Sequence, residues 1–294
     1  MAHRLLLDTS SLLYRAFHAL PDTIRDGDGR PVNAVHGYLD MTARLIASRQ
    51  PDSTTHVLDD TIAPEERVRA FPAYKAHRPP DPEGLPEQFG ILEEVLAAFG
   101  LECASAPGWE ADDAIGTLSR RAAGGDEIEI VTGDRDLLQL VRDGTPPVRV
   151  LFTVRGVSEL ATFDEAAVIA KYGVPPGRYV DLAILRGDSS DGLPGVRGIG
   201  EKTASRLVSA SGTLEDLLAG AGNLPERLAE RLAASEEYVR AMRLVVPVRT
   251  DLEVSVRRGE PDAGRLLVLG RTRRLNGPIH RLAKALAIEL PSSG

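Results

Sequence analysis

Three carboxylates lie within four positions of the sequence, at Glu110, Asp112 and Asp113, at the start of an apolar run. The run is typical of a helix, on which Glu110 and Asp113, three residues apart, would share a face. Acidic residues are also common in the first turn of a helix, because the free N–H groups there carry partial positive charge. These residues alone therefore fit either a well-capped helix or a chemical site.

Further acidic stretches lie at the ends of other apolar runs, and they comprise Asp8, Asp59, Asp134 with Asp136, and Asp188 with Asp191. Carboxylates that are packed together raise one another's pKa, and a hard divalent cation removes that penalty. Because Mg²⁺ is usually held by only a few carboxylates, so many acids indicate more than one ion. Two ions about 4 Å apart are suited to in-line hydrolysis of a phosphodiester.

Local explanations exist for single stretches. An Asx turn or a helix cap fits Asp134 and Asp136, and a Gly/Ser turn fits Asp188 and Asp191. The coincidence of all the stretches favours a shared site. Asp60 and Asp143 lack a matching context, and we predict that they are surface acids.

A glycine-containing turn, Gly198-Ile199-Gly200, precedes Lys202 and Thr203. Two glycines around an apolar residue favour a tight turn into a helix, whose first N–H groups can bind a phosphate beside the charge of Lys202. Such a motif would bind the backbone of a duplex without distinguishing bases. An ordinary helical hairpin is the alternative.

A proline-rich basic segment, residues 64–86, contains Tyr74, Lys75 and Arg78. The two basic side chains would neutralise a phosphate and Tyr74 would stack on a base, unless the segment is a solvated loop. Tyr14 and Arg15 follow Asp8 by six and seven residues. They would face the same site, or instead lie at the core edge and on the surface.

Strands and helices alternate in the first half of the chain. The predicted strands are residues 4–7, 54–58, 127–131 and 148–152, the last with a hairpin return near residue 155. This alternation predicts an α/β domain with a mostly parallel sheet, in which ligands bind beyond the carboxyl ends of the strands. Asp8, Asp59 and Asp134 all lie at such ends.

Helices replace the strand pattern after about residue 163, and we place a domain boundary near residue 174, at a Pro-Pro-Gly sequence. A strand-like stretch is predicted at 245–253 and a terminal helix at 282–288.

The composition excludes several classes of protein. No apolar run approaches the roughly 20 residues of a membrane span, and the N-terminus does not have the pattern of a signal peptide. The single cysteine, Cys103, allows no internal disulfide, so we expect a cytoplasmic protein. The net charge is −8, from 43 acidic and 35 basic residues. Leaving out the nine acids named as site candidates gives 34 acids against 35 bases, so the negative excess coincides with the predicted cation site.

Together these motifs resemble the bacterial 5′ nuclease family, which includes the N-terminal nuclease domain of DNA polymerase I, phage 5′ exonucleases and flap endonucleases. The matching segments, in conserved order and spacing, are 5–17, 74–78, 110–113, 132–137 and 187–204. One departure is Gly192, which stands where bacterial members usually carry Asn.

The resemblance implies a PIN-like nuclease domain over residues 1–174, with a helical arch at about 64–86 above the active site. It implies a helical DNA-binding subdomain over 175–294, whose helix–three-turn–helix (a helix-hairpin-helix type of motif) at about 188–210 would also bind K⁺.

The resemblance also assigns roles to single residues. It places Asp8, Asp59, Glu110 and Asp112 around a first metal ion, Asp113 in the same acidic cluster, and Asp134, Asp136, Asp188 and Asp191 around a second ion. It places Lys75 and Arg78 at the scissile phosphate, and Gly198, Gly200 and Lys202 at the duplex. We also expect DNA contacts from Tyr14, Arg15, Tyr74, Ile199 and Thr203.

The predicted function is that of a Mg²⁺- or Mn²⁺-dependent 5′→3′ exonuclease and flap endonuclease, in which water attacks the phosphodiester without a covalent intermediate. Its substrates would be DNA 5′ ends, flaps and junctions and RNA primers in replication and repair. We expect a monomer that makes no membrane contact and works beside replication or repair proteins. Two alternatives are a non-catalytic junction-binding protein, against which the full acid set argues, and a PIN-type ribonuclease acting on RNA alone, against which the duplex-binding turn argues.

Overall fold

The computed structural model describes residues 2–220 and 224–291, and within these residues seven strands form one sheet. The strands are β1 His3–Asp8, β2 Ser53–Val57, β3 Glu102–Ser105, β4 Glu127–Thr132, β5 Val148–Arg155, β6 Glu159–Phe163 and β7 Ser255–Arg257. Their order is β6-β5-β4-β1-β2-β3-β7. The five inner strands are parallel, and β6 and β7 pair antiparallel at the edges. The predicted mixed α/β fold with a mostly parallel sheet is confirmed.

Two apolar cores cover the two faces of this sheet. The side chains of β1 alternate between them: Leu6 lies in the first core, and Leu5 and Leu7 lie in the second. A strand that is buried on both faces is apolar along its whole length, which explains the continuous leucine run.

The helices of the described residues are α1 Thr9–Ala19, α2 Asn33–Arg49, α3 Glu65–Ala70, α4 Leu85–Ala98, α5 Ala111–Arg121, α6 Glu165–Tyr172, α7 Tyr179–Arg186, α8 Glu201–Ala210, α9 Leu214–Ala219, α10 Glu226–Ala233, α11 Glu236–Val245, α12 Ala263–Thr272 and α13 Asn276–Ala285. Short 3₁₀ helices span Asp136–Leu140 and Pro176–Arg178. Helices α5 to α11 build the first core, and α1, α2, α4, α12 and α13 build the second. None of these helices is long and apolar enough to cross a bilayer.

The predicted strand at 245–253 is wrong. Val245 and Val246 are buried in the first core, and the backbone that follows is held by side chains instead of a neighbouring strand. The backbone N–H of Val248 donates to Gln139 Oε1 at 2.8 Å, and that of Arg249 donates to Asp113 Oδ1 at 2.8 Å. The strand in this region is β7, a few residues later.

The end of the chain returns to the sheet of the first half. Strand β7 pairs with β3, and α12 and α13 pack against α4 and α2. The sequence did not predict β3 or α12, and it placed the last helix at 282–288 instead of 276–285. Residues 255–285 therefore pack against the first half of the chain and lie away from α7 to α11. The position of the domain boundary near residue 174 stays a prediction.

His56, on β2, is fully buried beside α2. Its Nδ1 lies 2.6 Å from the hydroxyl of Tyr38, which lies 3.2 Å from Thr9 Oγ1. Its Nε2 is buried and has no hydrogen-bond partner among the described residues. Burial lowers the pKa of His56 to about 3, so the folded protein holds a neutral imidazole at this position.

This burial predicts a pH-dependent loss of stability. In the unfolded chain a histidine has a pKa near 6.5, so unfolding takes up a proton below that pH. The stability contributed by neutral His56 is present above pH 6.5 and falls as the pH drops towards 3. Between pH 7 and pH 5 we expect a loss of about 2 kcal/mol in the free energy of unfolding from this residue. Urea unfolding at both pH values measures it.

The variant His56→Gln should lose less stability than the wild type over the same pH interval, by about that amount. His280→Gln, at an exposed position on α13, is the matched control and should keep the wild-type pH dependence. An unchanged slope in His56→Gln would show that another group titrates.

Candidate active site

The carboxyl edge of the sheet carries a cluster of acids. Asp8 ends β1, Asp59 follows β2 by two residues, and Asp134 follows β4 by two residues. These strands are neighbours in the order β4-β1-β2, and their parallel direction brings the three side chains to one edge. A cleft of about 1510 Å³ opens there, and its walls include Asp8, Asp59, Glu110, Asp112, Asp134, Lys75 and Arg78.

Asp8 is fixed by hydrogen bonds from two elements. Its Oδ1 accepts from the backbone N–H of Ser11 at 3.1 Å, which caps α1, and its Oδ2 accepts from Thr132 Oγ1 at 2.6 Å. Thr132 Oγ1 in turn accepts from the backbone N–H of Asp134 at 2.8 Å. One threonine therefore ties the ends of β1 and β4 together and fixes the spacing between two acids.

Asp59 joins two helices to the same edge. Its Oδ1 accepts from the backbone N–H of Ala111 at 2.7 Å, at the start of α5, and its Oδ2 accepts from the hydroxyl of Ser10 on α1. Burial raises the pKa of Asp59 in spite of these two bonds.

The carboxylates of the cluster are crowded. Burial raises the pKa of Asp8 to about 7, with repulsion from Asp59 and Asp134 adding to it. Burial and then repulsion from Asp134 raise the pKa of Asp112 and of Asp136 as well. Asp112 makes no hydrogen bond or ion pair with another described residue, and the buried Oδ1 of Asp136 has no partner among them either. Such oxygens are the donors that hard divalent cations prefer.

The second acidic group, formed by Asp134, Asp136, Asp188 and Asp191, interacts with the acids predicted around the first ion. Repulsion from Asp134 contributes to the raised pKa of Asp8 and of Asp112. Within the second group, repulsion from Asp134, Asp191 and Asp188 contributes to the raised pKa of Asp136. The local turn explanations also hold: the backbone N–H of Asp136 donates to Asp134 Oδ1 at 2.8 Å, and that of Ser190 donates to Asp188 Oδ1 at 2.9 Å. Turn formation and membership of the cluster are thus compatible.

Basic side chains occupy part of the acid cluster. Lys75 Nζ contacts Glu110 Oε1, Arg78 Nη2 donates to Asp191 Oδ1 at 2.7 Å, and Arg135 Nη2 donates to Asp188 Oδ2 at 3.2 Å. With these contacts in place, no group of three or more Asp, Glu, His or Cys side chains in residues 2–220 and 224–291 is arranged to enclose a metal ion. The basic segment thus compensates acids predicted around both ions: Lys75 pairs with Glu110, and Arg78 pairs with Asp191.

The backbone of the basic segment is also tied to the second acidic group. The N–H of Lys75 donates to the carbonyl oxygen of Asp191 at 2.9 Å, and Lys75 has φ of +54°, a left-handed conformation that is uncommon outside glycine. Arg78 Nε donates to the carbonyl oxygen of Ser190 at 3.2 Å.

Gly192 permits this close approach. It has φ of +74°, and a Cβ at this position would lie 2.9 Å from the carbonyl oxygen of Ala73 and 2.9 Å from His77 Nδ1. A side chain at this position would therefore collide with the basic segment.

The prediction that Tyr74 stacks on a base is wrong for this structure. Its side chain is only 4% exposed, and its hydroxyl donates to Glu110 Oε2 at 2.8 Å. Tyr74 instead positions Glu110. Tyr14 and Arg15 both line the cleft, as predicted; the Tyr14 hydroxyl contacts Asp81 in the basic segment.

The prediction that Asp113 belongs to the metal cluster is also wrong. Asp113 is fully buried and binds Arg67 through two bonds, Nη2 to Oδ1 at 2.7 Å and Nη1 to Oδ2 at 3.0 Å. Its Oδ1 accepts a third bond from the backbone N–H of Arg249. Arg67 Nη1 also contacts Glu110, so one guanidinium joins the two acids that share a face of α5.

The glycine-containing turn leads into α8 as predicted. Gly198 has φ of +76°, which favours glycine, and Gly200 directly precedes the helix. Gly198, Gly200 and Lys202 are exposed and Thr203 is half-buried, whereas the side chain of Ile199 is buried. Ile199 can therefore contact a ligand only through its backbone.

Two family models together match residues 3–263. A model described as "5'-3' exonuclease, N-terminal resolvase-like domain" matches residues 3–173, and one described as "5'-3' exonuclease, C-terminal SAM fold" matches residues 174–263.

Curated relatives are similar over most of the chain. A 5'-3' exonuclease of Mycobacterium tuberculosis is 42% identical over 271 residues, 85% of each chain. One of Streptomyces coelicolor is 42% identical over 302 residues, 96% of this chain and 99% of the relative. DNA polymerase I of Mycobacterium bovis is 42% identical over 235 residues, 79% of this chain but only 25% of the polymerase.

Solved structures share the fold at low identity. The bacteriophage T5 D15 protein, co-crystallised with metal ions, superimposes with a TM-score of 0.67 at 18% identity, over 96% of this chain and 99% of that one. The catalytic core of Rad2 in complex with DNA has a TM-score of 0.60 at 17% identity, over 97% and 92%.

The buried Arg67 generates a prediction about stability. Arg67→Met removes the cation that compensates Asp113 and leaves a fully buried carboxylate unpaired. We expect the free energy of unfolding to fall by about 3–5 kcal/mol at neutral pH, measured by urea denaturation. Arg69→Met, on the exposed side of the same helix, is the matched control and should change stability by less than about 1 kcal/mol. Equal stability of the two variants would contradict the role assigned to Arg67.

Proposed function

Because the chain belongs to the 5′-3′ exonuclease family, we propose that its cleft hydrolyses DNA phosphodiesters near single-strand/duplex junctions, as a 5′→3′ exonuclease and flap endonuclease. RNA primers and displaced flaps would be its substrates in replication and repair. One observation carries the proposal: acids from several strand ends meet at one edge of the sheet, where burial and then repulsion from neighbouring acids raise the pKa of Asp8, Asp112 and Asp136.

The free oxygens of this cluster support divalent cations as cofactors. The candidate ligands of a first ion are Asp8, Asp59, Glu110 and Asp112, and those of a second ion are Asp134, Asp136, Asp188 and Asp191. Mg²⁺ or Mn²⁺, when bound, would neutralise the carboxylates and stabilise charge on the phosphate. Asp8 and Asp59 are already positioned by hydrogen bonds from Thr132, Ser11, Ser10 and Ala111. Glu110, Asp191 and Asp188 would exchange their basic partners Lys75, Arg78 and Arg135 for the ions.

Lys75 and Arg78 are the candidate phosphate ligands of the chain itself. They lie over Glu110 and Asp191, where they balance negative charge. Cations bound to the acids would take over that balance and leave both side chains to contact the scissile phosphate. Tyr14 and Arg15, which line the same cleft, would contact the cleaved strand.

The turn before α8 is the candidate site for the intact duplex. Gly198, Gly200 and Lys202 are exposed, and the first N–H groups of α8 with the Lys202 ammonium suit phosphate oxygens. The K⁺ that the resemblance implies would bind backbone oxygens of this turn. The Rad2 core in complex with a DNA substrate supports DNA as the ligand, and human GEN1 in complex with Holliday junction DNA supports branched DNA as the substrate class.

The cluster generates a prediction about catalysis. Asp134→Asn should lower turnover of an end-labelled 5′-flap duplex in Mg²⁺ by at least about 100-fold, because a charge that organises the phosphate site is lost. Binding of the same DNA without divalent ions should stay within a few-fold of the wild type.

Asp143→Asn is the matched control, since Asp143 is an exposed acid paired with Arg149. Its turnover should equal that of the wild type. Full turnover in Asp134→Asn would remove this residue from the site, and cleavage of single-stranded RNA in place of the flap would favour a ribonuclease.

The turn before α8 generates a prediction about affinity. Lys202→Ala should weaken duplex binding and lower the slope of log K against log salt by about one, because one phosphate contact is lost. Fluorescence anisotropy over a salt series measures both quantities. Arg120→Ala, at an exposed residue near the end of α5, removes the same charge and should leave the slope unchanged. Equal slopes in all three proteins would exclude a Lys202–phosphate contact.

A further inference from the structure

Tyr238 on α11 contacts three parts of the chain that carry or adjoin the candidate DNA contacts. Its hydroxyl oxygen accepts from the backbone N–H of Gly195 at 3.0 Å and donates to the carbonyl oxygen of Ile184, near the end of α7, at 3.3 Å. Its ring lies edge to face on Phe71, with the centroids 6.2 Å apart and the ring planes at 78°. We call these three contacts the Tyr238 link.

The hydroxyl contact leads to the turn before α8. Gly195 lies three residues before Gly198, and the chain between them is packed down, because the side chain of Val196 is buried and its N–H donates to the carbonyl oxygen of Leu185 at 2.9 Å. Gly195 has φ of +67°, and a Cβ there would lie 2.4 Å from the carbonyl oxygen of Arg186. The position of the turn therefore follows the position of Gly195 on the end of α7.

The ring contact leads to the basic segment. Phe71 directly follows α3, which packs against α11, and its carbonyl oxygen accepts from the N–H of Tyr74 at 2.9 Å. This bond closes the turn that brings Lys75 to the cleft. Phe71 and Tyr238 both pack at the edge of the first core. An edge-to-face pair of aromatic rings has a preferred geometry, so the contact fixes an orientation as well as a distance.

A second connection between the same two regions runs through the acid cluster. Arg78 donates to Asp191 Oδ1 at 2.7 Å, and a cation bound to Asp191 would compete with Arg78 for that carboxylate. The hydrogen bonds of Tyr238 go to backbone groups and to no carboxylate of the described residues. Burial raises the pKa of Tyr238 to about 12, so its hydroxyl stays protonated at neutral pH. The Tyr238 link is therefore independent of ion binding.

We propose that Tyr238 is a positioning residue that fixes the turn before α8 relative to the basic segment, and thereby selects the phosphodiester that is cleaved. It acts through Gly195 and Phe71, and not through a contact with the scissile phosphate. The proposal rests on the proposed function, in which the turn binds the duplex and Lys75 contacts the scissile phosphate. With the duplex held at one end of the link and the reacting bond at the other, the geometry of the link sets which bond reaches the acids.

The test separates the hydroxyl of Tyr238 from its ring. Tyr238→Phe removes both hydrogen bonds and keeps the ring on Phe71, whereas Phe71→Leu removes the ring pair and keeps the hydrogen bonds. Tyr238→Leu removes both halves of the link. Each variant cleaves an end-labelled 5′-flap duplex in Mg²⁺, and the products are resolved to single nucleotides. Val239→Ala is the matched control, since Val239 is the next residue of α11 and is buried in the first core, outside the link.

We expect one principal product from the wild type. In Tyr238→Phe and in Phe71→Leu, neighbouring bonds should give at least about a fifth of the products, and kcat should fall about 10-fold with KM nearly unchanged, because a displacement of about 1 Å at the reacting atoms is enough to lower turnover. The variant Tyr238→Phe/Phe71→Leu should be less impaired than the product of the two single effects, since either change already breaks the link. Val239→Ala should lose stability to urea and keep the wild-type product.

Amide hydrogen exchange tests the link without hydrolysis. In Tyr238→Phe the N–H of Gly195 loses its acceptor, so its exchange should be at least about 10-fold faster, whereas exchange at Tyr74 should stay as in the wild type. In Tyr238→Leu both amides should exchange faster. Unchanged exchange at Gly195 and Tyr74 in Tyr238→Leu would contradict the link itself.

A wild-type product pattern in Tyr238→Leu, together with faster exchange at Gly195, would overturn the proposal, because the link would then be broken without moving the cleaved bond. A shifted pattern in Val239→Ala would overturn it as well, since loss of core packing alone would explain the shift. Absence of cleavage by the wild type in Mg²⁺ is a different result: it would contradict the proposed function on which this inference rests.

Discussion

Repulsion among carboxylates at the carboxyl edge of the sheet is the constraint on which the rest of the structure depends. Parallel strands deliver Asp8, Asp59 and Asp134 to one place, and α5 adds Asp112 beside them. Part of the chain compensates this charge: hydrogen bonds from helix starts and Thr132 hold single acids, and basic side chains cover others. What is left uncompensated among the described residues is Asp112, which lines the cleft, and the buried Oδ1 of Asp136.

Two acids of one motif have different roles because a cation compensates the charge of one and not that of the other. Asp112 and Asp113 are adjacent in the sequence, yet Asp113 is neutralised by Arg67 inside the protein and Asp112 is left without a partner among the described residues. Glu110 resembles Asp113 in being compensated, since it contacts Arg67, Tyr74 and Lys75. It resembles Asp112 in lining the cleft. Asp113 therefore anchors the start of α5, and Asp112 remains available to a ligand.

The sequence predicted the sheet, the helices that flank it and the convergence of strand-end acids, because these follow from local apolar patterns and from the geometry of parallel strands. It could not predict contacts between residues distant in the chain. Nothing near Asp113 indicates that its partner is Arg67, 46 residues away, or that Tyr74 is drawn into the interior by Glu110. The stretch 245–253 looks like a strand because it is rich in valine, but backbone N–H groups within it donate to the side chains of Gln139 and Asp113 instead of to a neighbouring strand.

The left-handed conformation of Lys75 has a consequence for how the cleft is covered. A non-glycine residue in this conformation costs on the order of 1 kcal/mol, and here it is held by the bond from its N–H to the carbonyl oxygen of Asp191. The basic segment is thus held on the Asp188–Asp191 turn by the backbone of Lys75 and by the side chain of Arg78, so that a movement of the segment away from the turn would break both contacts together. Gly192, which leaves room for the backbone of Ala73, lets the two segments pack this closely.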